Sequence, residues 1–422
     1  MNSTIQSRLT AAITMPTVRQ YIYFSTIFGV FSGAAVWHAG FDVLLFDFII
    51  ISNLLLLCLV SNLSYLPLWM VAVFGYLFIS GSIGILNGTD SAAQFLKQFL
   101  GITANILYFY YFFKMQGNRV ERAFSTYAQI AYGLCIVGIP LWALSCVASH
   151  QFVRLQSLTT EPAHFCTLVL PAYYWYAYLY FTSRKHGIKV LIFTMTVALS
   201  GSSLGFLSVA LGIALLLSRR RKLLLAIPVV IGGLMILAYS VSPYFRLRAD
   251  DTVVALSSND VSNANISTYA LISNMIVTYN VMQENPILGN GLGSHVISHA
   301  RFIGTVPGVE VFEERGMEDY NSTEAASLVL RSLSELGILG FLGILWFLFH
   351  FHVGGTSSRA AISNGILVCF FLKLIRDGVY FPPEQFFFIF VYFLNHRQFK
   401  LETCAASTRD PIYLAVNSDQ TA

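Results

Sequence analysis

Charged residues are scarce in this sequence. Asp, Glu, Lys and Arg make up 11% of its 422 residues, against roughly 25% in soluble globular domains. Hydrophobic residues make up 56%, and the mean hydropathy is +0.65. A soluble protein with an unusually apolar core is the alternative, but repeated apolar stretches of about 18 residues or more argue against it. The composition therefore predicts an integral membrane protein.

The sequence also lacks the common motifs of metal, redox and nucleotide chemistry. It has no CxxC spacing, no HExxH pattern, no GxSxG elbow and no P-loop. Five of its six cysteines lie in apolar segments. The net charge of +4 includes no basic block interleaved with aromatic residues, so nothing supports nucleic-acid binding. We therefore expect no metal, no cofactor and no nucleic-acid partner.

Apolar windows predict about twelve membrane spans, an all-α integral membrane protein. They lie near residues 21–38, 42–60, 64–86, 95–115, 122–147, 164–182, 187–202, 204–218, 223–242, 326–351, 360–376 and 384–396. With the N-terminus in the cytoplasm, basic residues such as Lys114, Arg184 and the run at 219–222 fall in every second connection. This agrees with the positive-inside rule and places both ends inside. The N-terminus is too polar for a signal peptide, so we expect the first helix to act as an uncleaved anchor.

This topology divides the chain into five predicted parts. They are a cytoplasmic N-terminus at 1–20, spans one to nine at 21–242, a large periplasmic loop at 243–325, spans ten to twelve at 326–396 and a cytoplasmic tail at 397–422. Structureless loops longer than about 12–15 residues are usually functional or disordered. The large loop contains amphipathic helical stretches such as 268–283, so we expect it to be partly helical and to carry chemistry.

Basic residues are rare on the predicted outer side, where a guanidinium could bind the oxygens of a lipid diphosphate bidentately. The candidates for that role are Arg154, Arg248, Arg301, Arg331 and Arg376. Snorkelling or a local ion pair is the alternative for each, and Arg331 precedes Glu335 by one helical turn. Lys373, Arg376 and Asp377 form a similar group before the Pro382-Pro383 turn.

Carboxylates and histidines on the same side could activate an acceptor hydroxyl. The candidates to act as base, or to position a sugar, are Glu161, His164, His295 and Glu324. Attack on a lipid-linked sugar needs a placed base and a stabilised leaving group, but not necessarily a metal. His295 and His299 have the i,i+4 spacing of two ligands on one helix face, yet no third ligand is near in the sequence.

Three stretches carry a resemblance to a known family. They are Arg154 to Phe165 with its Glu161-Pro162 pair, Asn285 to Gly293 with Pro-x-x-Gly-x-Gly spacing, and Leu328 to Gly340 with Glu-x-Gly-x-x-Gly spacing. Their order and the many-span topology resemble the O-antigen polymerase and ligase superfamily, the Wzy-type membrane proteins. Ligases of that family typically carry His-Asn where this chain has Ala326 and Ser327. Many relatives carry Ser-Arg where it has Ser202-Ser203.

The resemblance implies a polymerase of undecaprenyl-diphosphate-linked oligosaccharide repeat units (O-antigen, capsule or exopolysaccharide). It would work on the periplasmic side of the bacterial inner membrane. The expected partners are that lipid-linked glycan, membrane lipid, a chain-length regulator and a flippase. The alternatives are a ligase that transfers glycan to lipid A core or protein, a repeat-unit transporter, and an assembly subunit without chemistry. A transporter would be favoured by inverted repeats and midplane charges, whereas the candidates here lie at the outer ends of spans.

Overall fold

The computed structural model describes residues 2–33, 35–38, 42–60, 66–159, 161–218, 243–258 and 260–407, with residues 232, 233, 236, 239 and 240 between them. Helices dominate these ranges. The first eight are α1 (Asn2–Gly29), α2 (Leu45–Val60), α3 (Leu68–Leu86), α4 (Ala92–Met115), α5 (Val120–Ser149), α6 (Pro162–Ser183), α7 (Gly187–Ser200) and α8 (Ser203–Ser218). The later helices are α9 (Pro243–Ser258), α10 (Ile266–Glu284), α11 (His295–Phe302), α12 (Glu310–Glu313), α13 (Leu328–His350), α14 (Ser358–Arg376) and α15 (Pro383–Ser407).

One short hairpin departs from the predicted all-α fold. Strands β1 (Val36–His38) and β2 (Asp42–Leu44) pair antiparallel, with Trp37 opposite Val43. Helix α1 ends at Gly29, and turns follow it, with backbone hydrogen bonds from Phe31 N to Phe28 O and from Ser32 N to Gly29 O. The first helix is therefore shorter at its C-terminal end than the predicted span 21–38. At the other end of the chain, α15 continues past residue 396 into the predicted tail.

Four of the described helices are long and apolar enough to cross a membrane, judged by length and composition: α3, α5, α13 and α14. Three shorter apolar helices cover Leu45–Leu59, Gly187–Ser200 and Ser203–Leu215. Most of the predicted ninth span, 223–242, and the basic run at 219–222 lie outside the described residues. The count of about twelve spans and the periplasmic position of 243–325 stay predictions.

The helices enclose an aromatic core. Rings of α4 meet rings of α15, with centroids of Phe109 and Phe113 6.3 Å from that of Phe390. Helix α14 lies at the centre, since 78% of its apolar window is buried, against 22% for α5. The exposed apolar side chains of α5 are those expected of a helix that faces lipid.

The segment 243–325 has a small core of its own. Helices α9 and α10 pack with the stretch 303–312 around Val261, Ile272 and Val309. The rings of Tyr269 and Phe312 stack at 3.8 Å between centroids. The predicted helical stretch 268–283 lies within α10, whose first turn is capped by the Asn265 side chain. This segment is therefore folded rather than an extended connector.

Helix α13 is broken at Gly337, and the segment 285–293 fills the break. Gly337 has φ 64° and ψ −166°, a conformation essentially restricted to glycine. Four backbone hydrogen bonds cross between the segments: Asn290 N to Ser334 O (2.8 Å), Gly291 N to Glu335 O (3.0 Å), Ile338 N to Pro286 O (2.9 Å) and Leu339 N to Ile287 O (3.3 Å). They replace the helical bonds lost at the break. Two of the three motifs noted in the sequence therefore interlock.

Candidate functional site

A group of charged side chains collects where α6, α13 and α15 begin and α14 ends. We call it the charged cluster; its members are Glu161, His164, Glu324, Arg331, Glu335, Lys373, Asp377 and Glu384. The turns 324–327 and 377–382 run between the helix ends. Buried ionisable groups at the end of an apolar helix are expensive, so they are functional candidates.

Arg331 is held in a fixed orientation at the first turn of α13. Its side chain is 4% exposed, and its Nε donates to Glu335 Oε1 at 3.1 Å. Its Nη1 donates to the carbonyl oxygen of Gly378 at 2.8 Å, and its Cζ lies 4.1 Å from the ring centroid of Tyr380. The cation is thus paired and stacked on an aromatic face. Within the described chain, the remaining N–H donors of the guanidinium stay unused.

Lys373 joins three helices through two carboxylates. Its Nζ, on α14, lies 2.6 Å from Asp377 Oδ2 and 2.8 Å from Glu384 Oε1. Glu384, at the start of α15, is fully buried, and its Oε2 lies 3.4 Å from Nε2 of His164 on α6. Removing one member of such a network would leave an uncompensated buried charge. The network therefore fixes the helix ends that frame the site.

Glu324 is the partly exposed carboxyl of the charged cluster. Burial raises its pKa above the ordinary value of 4.5, and the negative charge of Asp377 adds to the shift. The positive charge of Arg331 opposes it. A carboxyl shifted towards neutral pH is suited to proton transfer. Glu161, which precedes α6, is exposed and lies close enough for its charge to act on Glu324.

The turn after Glu324 is strained. Ala325 and Ala326 have φ of +54° and +56°, the left-handed region that costs non-glycine residues roughly 1–2 kcal/mol each. The turn presses on Gly378, where an added Cβ would lie 1.5 Å from the Glu324 carbonyl oxygen. Strained backbone persists where the surrounding structure enforces it, and such places cluster at functional sites.

His295 lies in the interior rather than at an open surface. Its Nδ1 is 2.7 Å from Ser334 Oγ, and its Nε2 is 2.7 Å from Asn274 Oδ1. Burial, with the nearby charge of Arg331, lowers the pKa of the imidazole well below its ordinary value. A neutral ring that donates from Nε2 and accepts at Nδ1 satisfies both contacts. His295 thus ties α11 to α10 and α13. Among the described residues, no group of His, Cys, Asp and Glu suits a metal ion.

The other candidate arginines lie elsewhere. Arg301 is exposed and forms two hydrogen bonds of 2.7 Å with Glu284. Arg376 donates to the carbonyl of Ser267 at 2.9 Å, where α10 begins. Arg154 donates from Nε to the carbonyl of Ser200 at 3.0 Å, at the turn from α7 to α8. Arg248 belongs to α9, and its side chain lies outside the described residues.

Lys373 and Asp377 are predicted from the sequence as a charged group without a site role, and Tyr380 and Glu384 are not among the predicted residues. A signal was present for two of them, because Lys373 and Asp377 are spaced i,i+4 at the end of an apolar helix. Glu384 also carried a signal, since a carboxylate one residue into an apolar span needs a partner. Tyr380 carried none, because its position under Arg331 depends on the path of the 377–382 turn.

Residues 188–345 match the sequence family described as O-antigen ligase (Wzy_C). The matched stretch begins in α7, includes the interlocked segments around Gly337 and contains Arg331 and Glu324. It ends before Lys373 and Glu384. Members of this family are membrane glycosyltransferase-like enzymes, polymerases and ligases. No curated protein and no solved structure matches the chain.

Proposed function

We propose that the chain polymerises undecaprenyl-diphosphate-linked oligosaccharide repeat units, because residues 188–345 match the O-antigen ligase family and place it with the O-antigen ligase and polymerase superfamily. The protein is a multi-pass membrane protein. We propose that the reaction takes place on the periplasmic side of the inner membrane. One observation carries the proposal. The guanidinium of Arg331 has N–H donors without a partner among the described residues. It lies in the same cluster as the partly exposed carboxyl of Glu324.

The proposed reaction divides the chemistry between these two residues. A hydroxyl of the incoming repeat unit attacks the anomeric carbon of the growing chain, whose bond to the lipid diphosphate breaks. Glu324 takes the proton of the attacking hydroxyl, and Arg331 binds the oxygens of the departing diphosphate. The lipid diphosphate leaves as an anion, and the lengthened chain stays on the other carrier lipid.

Lys373 has a different part in this proposal. Its ammonium group already contacts the carboxylates of Asp377 and Glu384, so it holds the helix ends rather than the leaving group. Arg154 is the second candidate for the diphosphate. It contacts Ser200, beside the Ser202-Ser203 position where many relatives carry Ser-Arg. Arg154, from the loop before α6, thus lies near the position at which those relatives carry their arginine.

One local feature favours a polymerase over a ligase. Ligases of the family typically carry His-Asn where this chain has Ala326 and Ser327. Ser327 caps α13, and its hydroxyl donates to the carbonyl of Leu374 at 2.7 Å. In our proposal, the base at this turn is therefore Glu324, which lies two residues before Ala326. A ligase is the second candidate, because the matched family is described as O-antigen ligase.

Deletion of the gene in its host tests the proposal. We expect the ladder of glycan chain lengths on a gel to collapse to a single repeat unit. Wild type restores the ladder, Arg331→Ala does not, and Arg301→Ala serves as the matched control that does. Full-length chains accumulating on the carrier lipid would mean a ligase. An unchanged ladder would contradict a role in glycan assembly.

A further inference from the structure

Buried polar atoms without partners lie behind Arg331, on the side of α3 and α4. Within the described chain, no hydrogen bond is made by Ser80 Oγ, Asp90 Oδ2 or Gln98 Oε1. Glu335 Oε2 and the Tyr380 hydroxyl interact with each other but have no other partner among the described residues. Ser80, Asp90, Gln98 and Glu335 are at most 9% exposed. A buried polar group left unpaired costs about 1–3 kcal/mol, so several together need an explanation. We call these five residues the polar recess.

The segment 285–293 brings the α3 side of the recess to Glu335. The amide of Gly291 donates to the carbonyl of Glu335 at 3.0 Å, while a Cβ added at Gly291 would lie 3.2 Å from the carbonyl oxygen of Ser80. Asp90 lies in the turn between α3 and α4, and its amide donates to the carbonyl of Gly84 at 3.2 Å. Burial raises the pKa of Asp90 to about 7, with the Glu335 charge contributing. The two carboxyl groups are therefore close enough for their charges to interact.

Helix α4 brings Gln98 to the same place. Gln94, Gln98 and Gly101 share one helix face, since they are spaced four and seven residues apart. A Cβ added at Gly101 would lie 3.3 Å from the ring of Phe381, the residue after Tyr380. At the other end of this face, Gln94 backbone atoms lie against Gly293. Gln98 lies between these two contacts and therefore faces the recess.

We propose that the polar recess binds a sugar residue of the lipid-linked glycan. Two of its unpaired atoms, on Asp90 and Gln98, are carboxyl or carbonyl oxygens that need O–H or N–H donors, and Glu335 Oε2 can accept a second one. Sugar hydroxyls supply such donors. The carboxyl groups disfavour a phosphate in the same position, because like charges repel. The inference rests on the proposed function, and it adds a binding position for one sugar residue of the glycan.

Glu335 would then connect the proposed diphosphate site at Arg331 with the proposed sugar site in the polar recess. Its Oε1 accepts from Arg331, while its Oε2, beside the Tyr380 hydroxyl, has room to accept from a sugar hydroxyl as well. Tyr380 also contacts both residues, since its ring lies under Arg331 while its hydroxyl interacts with the Glu335 carboxylate. A sugar in the recess would thus lie next to the diphosphate bound at Arg331. Binding of the glycan would orient the guanidinium through these two shared residues.

The test uses the purified full-length protein in lipid nanodiscs and the host's own lipid-linked repeat unit. Gln98→Leu removes one acceptor from the recess, and Gln129→Leu, on an exposed face of α5, is the matched control. We expect Gln98→Leu to raise the KM for the repeat unit about tenfold, the value of one hydrogen bond. Its Tm should stay the same or rise, because an unpaired buried group has become apolar. Asp90→Asn should raise the KM as well.

Two outcomes would overturn the inference. An unchanged KM together with a lower Tm in Gln98→Leu would mean that the recess holds only structural water. A KM that rises equally in Gln129→Leu would mean a general effect of the substitution. Inactivity of the wild-type protein towards the repeat unit would instead contradict the proposed function, so the two failures are distinguishable.

Discussion

Two arginine–glutamate pairs of this chain lie in opposite settings. In the pair on α13, the side chains of Arg331 and Glu335 are 4% and 1% exposed. In the pair between α11 and α10, those of Arg301 and Glu284 are 53% and 38% exposed. Arg301 uses both terminal nitrogens on its glutamate, whereas Arg331 uses Nε and keeps part of its fork free. Burial and fork orientation, rather than charge alone, therefore distinguish the proposed diphosphate ligand Arg331 from the surface ion pair of Arg301.

The largest difference should appear on replacing the two arginines. Arg331→Ala leaves Glu335 buried without its partner, which costs about 3–5 kcal/mol of stability, and we expect no polymer. Arg331→Lys keeps the charge but loses the planar fork, so it should fold and still fail to polymerise. Arg301→Ala should cost at most about 1 kcal/mol, because exposed pairs contribute little. Glycan gels and Tm values of the purified variants measure both effects. Equal loss of polymer in Arg301→Ala and Arg331→Lys would contradict the proposed difference in role between the buried and the exposed arginine.

The second difference separates the two carboxyl candidates of the charged cluster. Glu324→Gln should lower the rate roughly 100- to 10,000-fold, as expected for loss of a general base. A base acts when deprotonated, so wild-type activity should rise with pH through the pKa of Glu324, which burial places above 4.5. Glu161→Gln should keep that rise. A pH–rate profile measures it, and a rise that persists in Glu324→Gln would assign the base elsewhere.

The break in α13 offers a third, smaller effect. Gly337→Ala forces a side chain into a glycine-only conformation, and its Cβ would lie 2.3 Å from the Ile287 carbonyl oxygen. We expect a loss of about 1–3 kcal/mol or more, together with lower activity, since the break sets the first half of α13 that carries Arg331. Gly343→Ala, in the same helix with open space around it, is the control. A drop in Tm of the same size in both variants would contradict a stabilising role for the contacts between the segment 285–293 and the break in α13.

The smallest effect concerns the turn after Glu324. Ala326→Gly relieves a left-handed alanine, so we expect stability to rise by roughly 1 kcal/mol or less. Activity should fall if the strain holds Glu324 in place. Thermal unfolding and glycan gels measure the two effects. A decrease in Tm would mean that the alanine side chain contributes more by packing than the strained backbone costs.

Part of this architecture could be predicted from the sequence, where the signal is local. Four of the apolar windows coincide with the long apolar helices α3, α5, α13 and α14, and the stretch 268–283 does lie in α10. The i,i+4 spacing of Arg331 and Glu335 predicted a possible pair, and that pair is present. The resemblance to the superfamily is confirmed by the family match at residues 188–345.

The rest depends on contacts between distant parts of the chain. Glu384 meets His164 across 220 residues of sequence, and no spacing rule predicts such a pair. The glycines of 285–293 and Gly337 were visible as motifs, but their hydrogen bonds to one another follow from tertiary packing. The sequence predicts His295 as a candidate base. Its two buried hydrogen bonds could not be predicted, because the partners Ser334 and Asn274 are distant in the sequence.

The most direct measurement incubates the purified protein in nanodiscs with the lipid-linked repeat unit alone, and then records product masses. We predict a series of products that differ by whole repeat units, each on a single carrier lipid diphosphate, with release of the second carrier lipid diphosphate at every step. Arg301→Ala should give the same series, and Arg331→Lys none. A reaction that needs added lipid A core or protein as acceptor, and yields no longer lipid-linked chains, would contradict the polymerase.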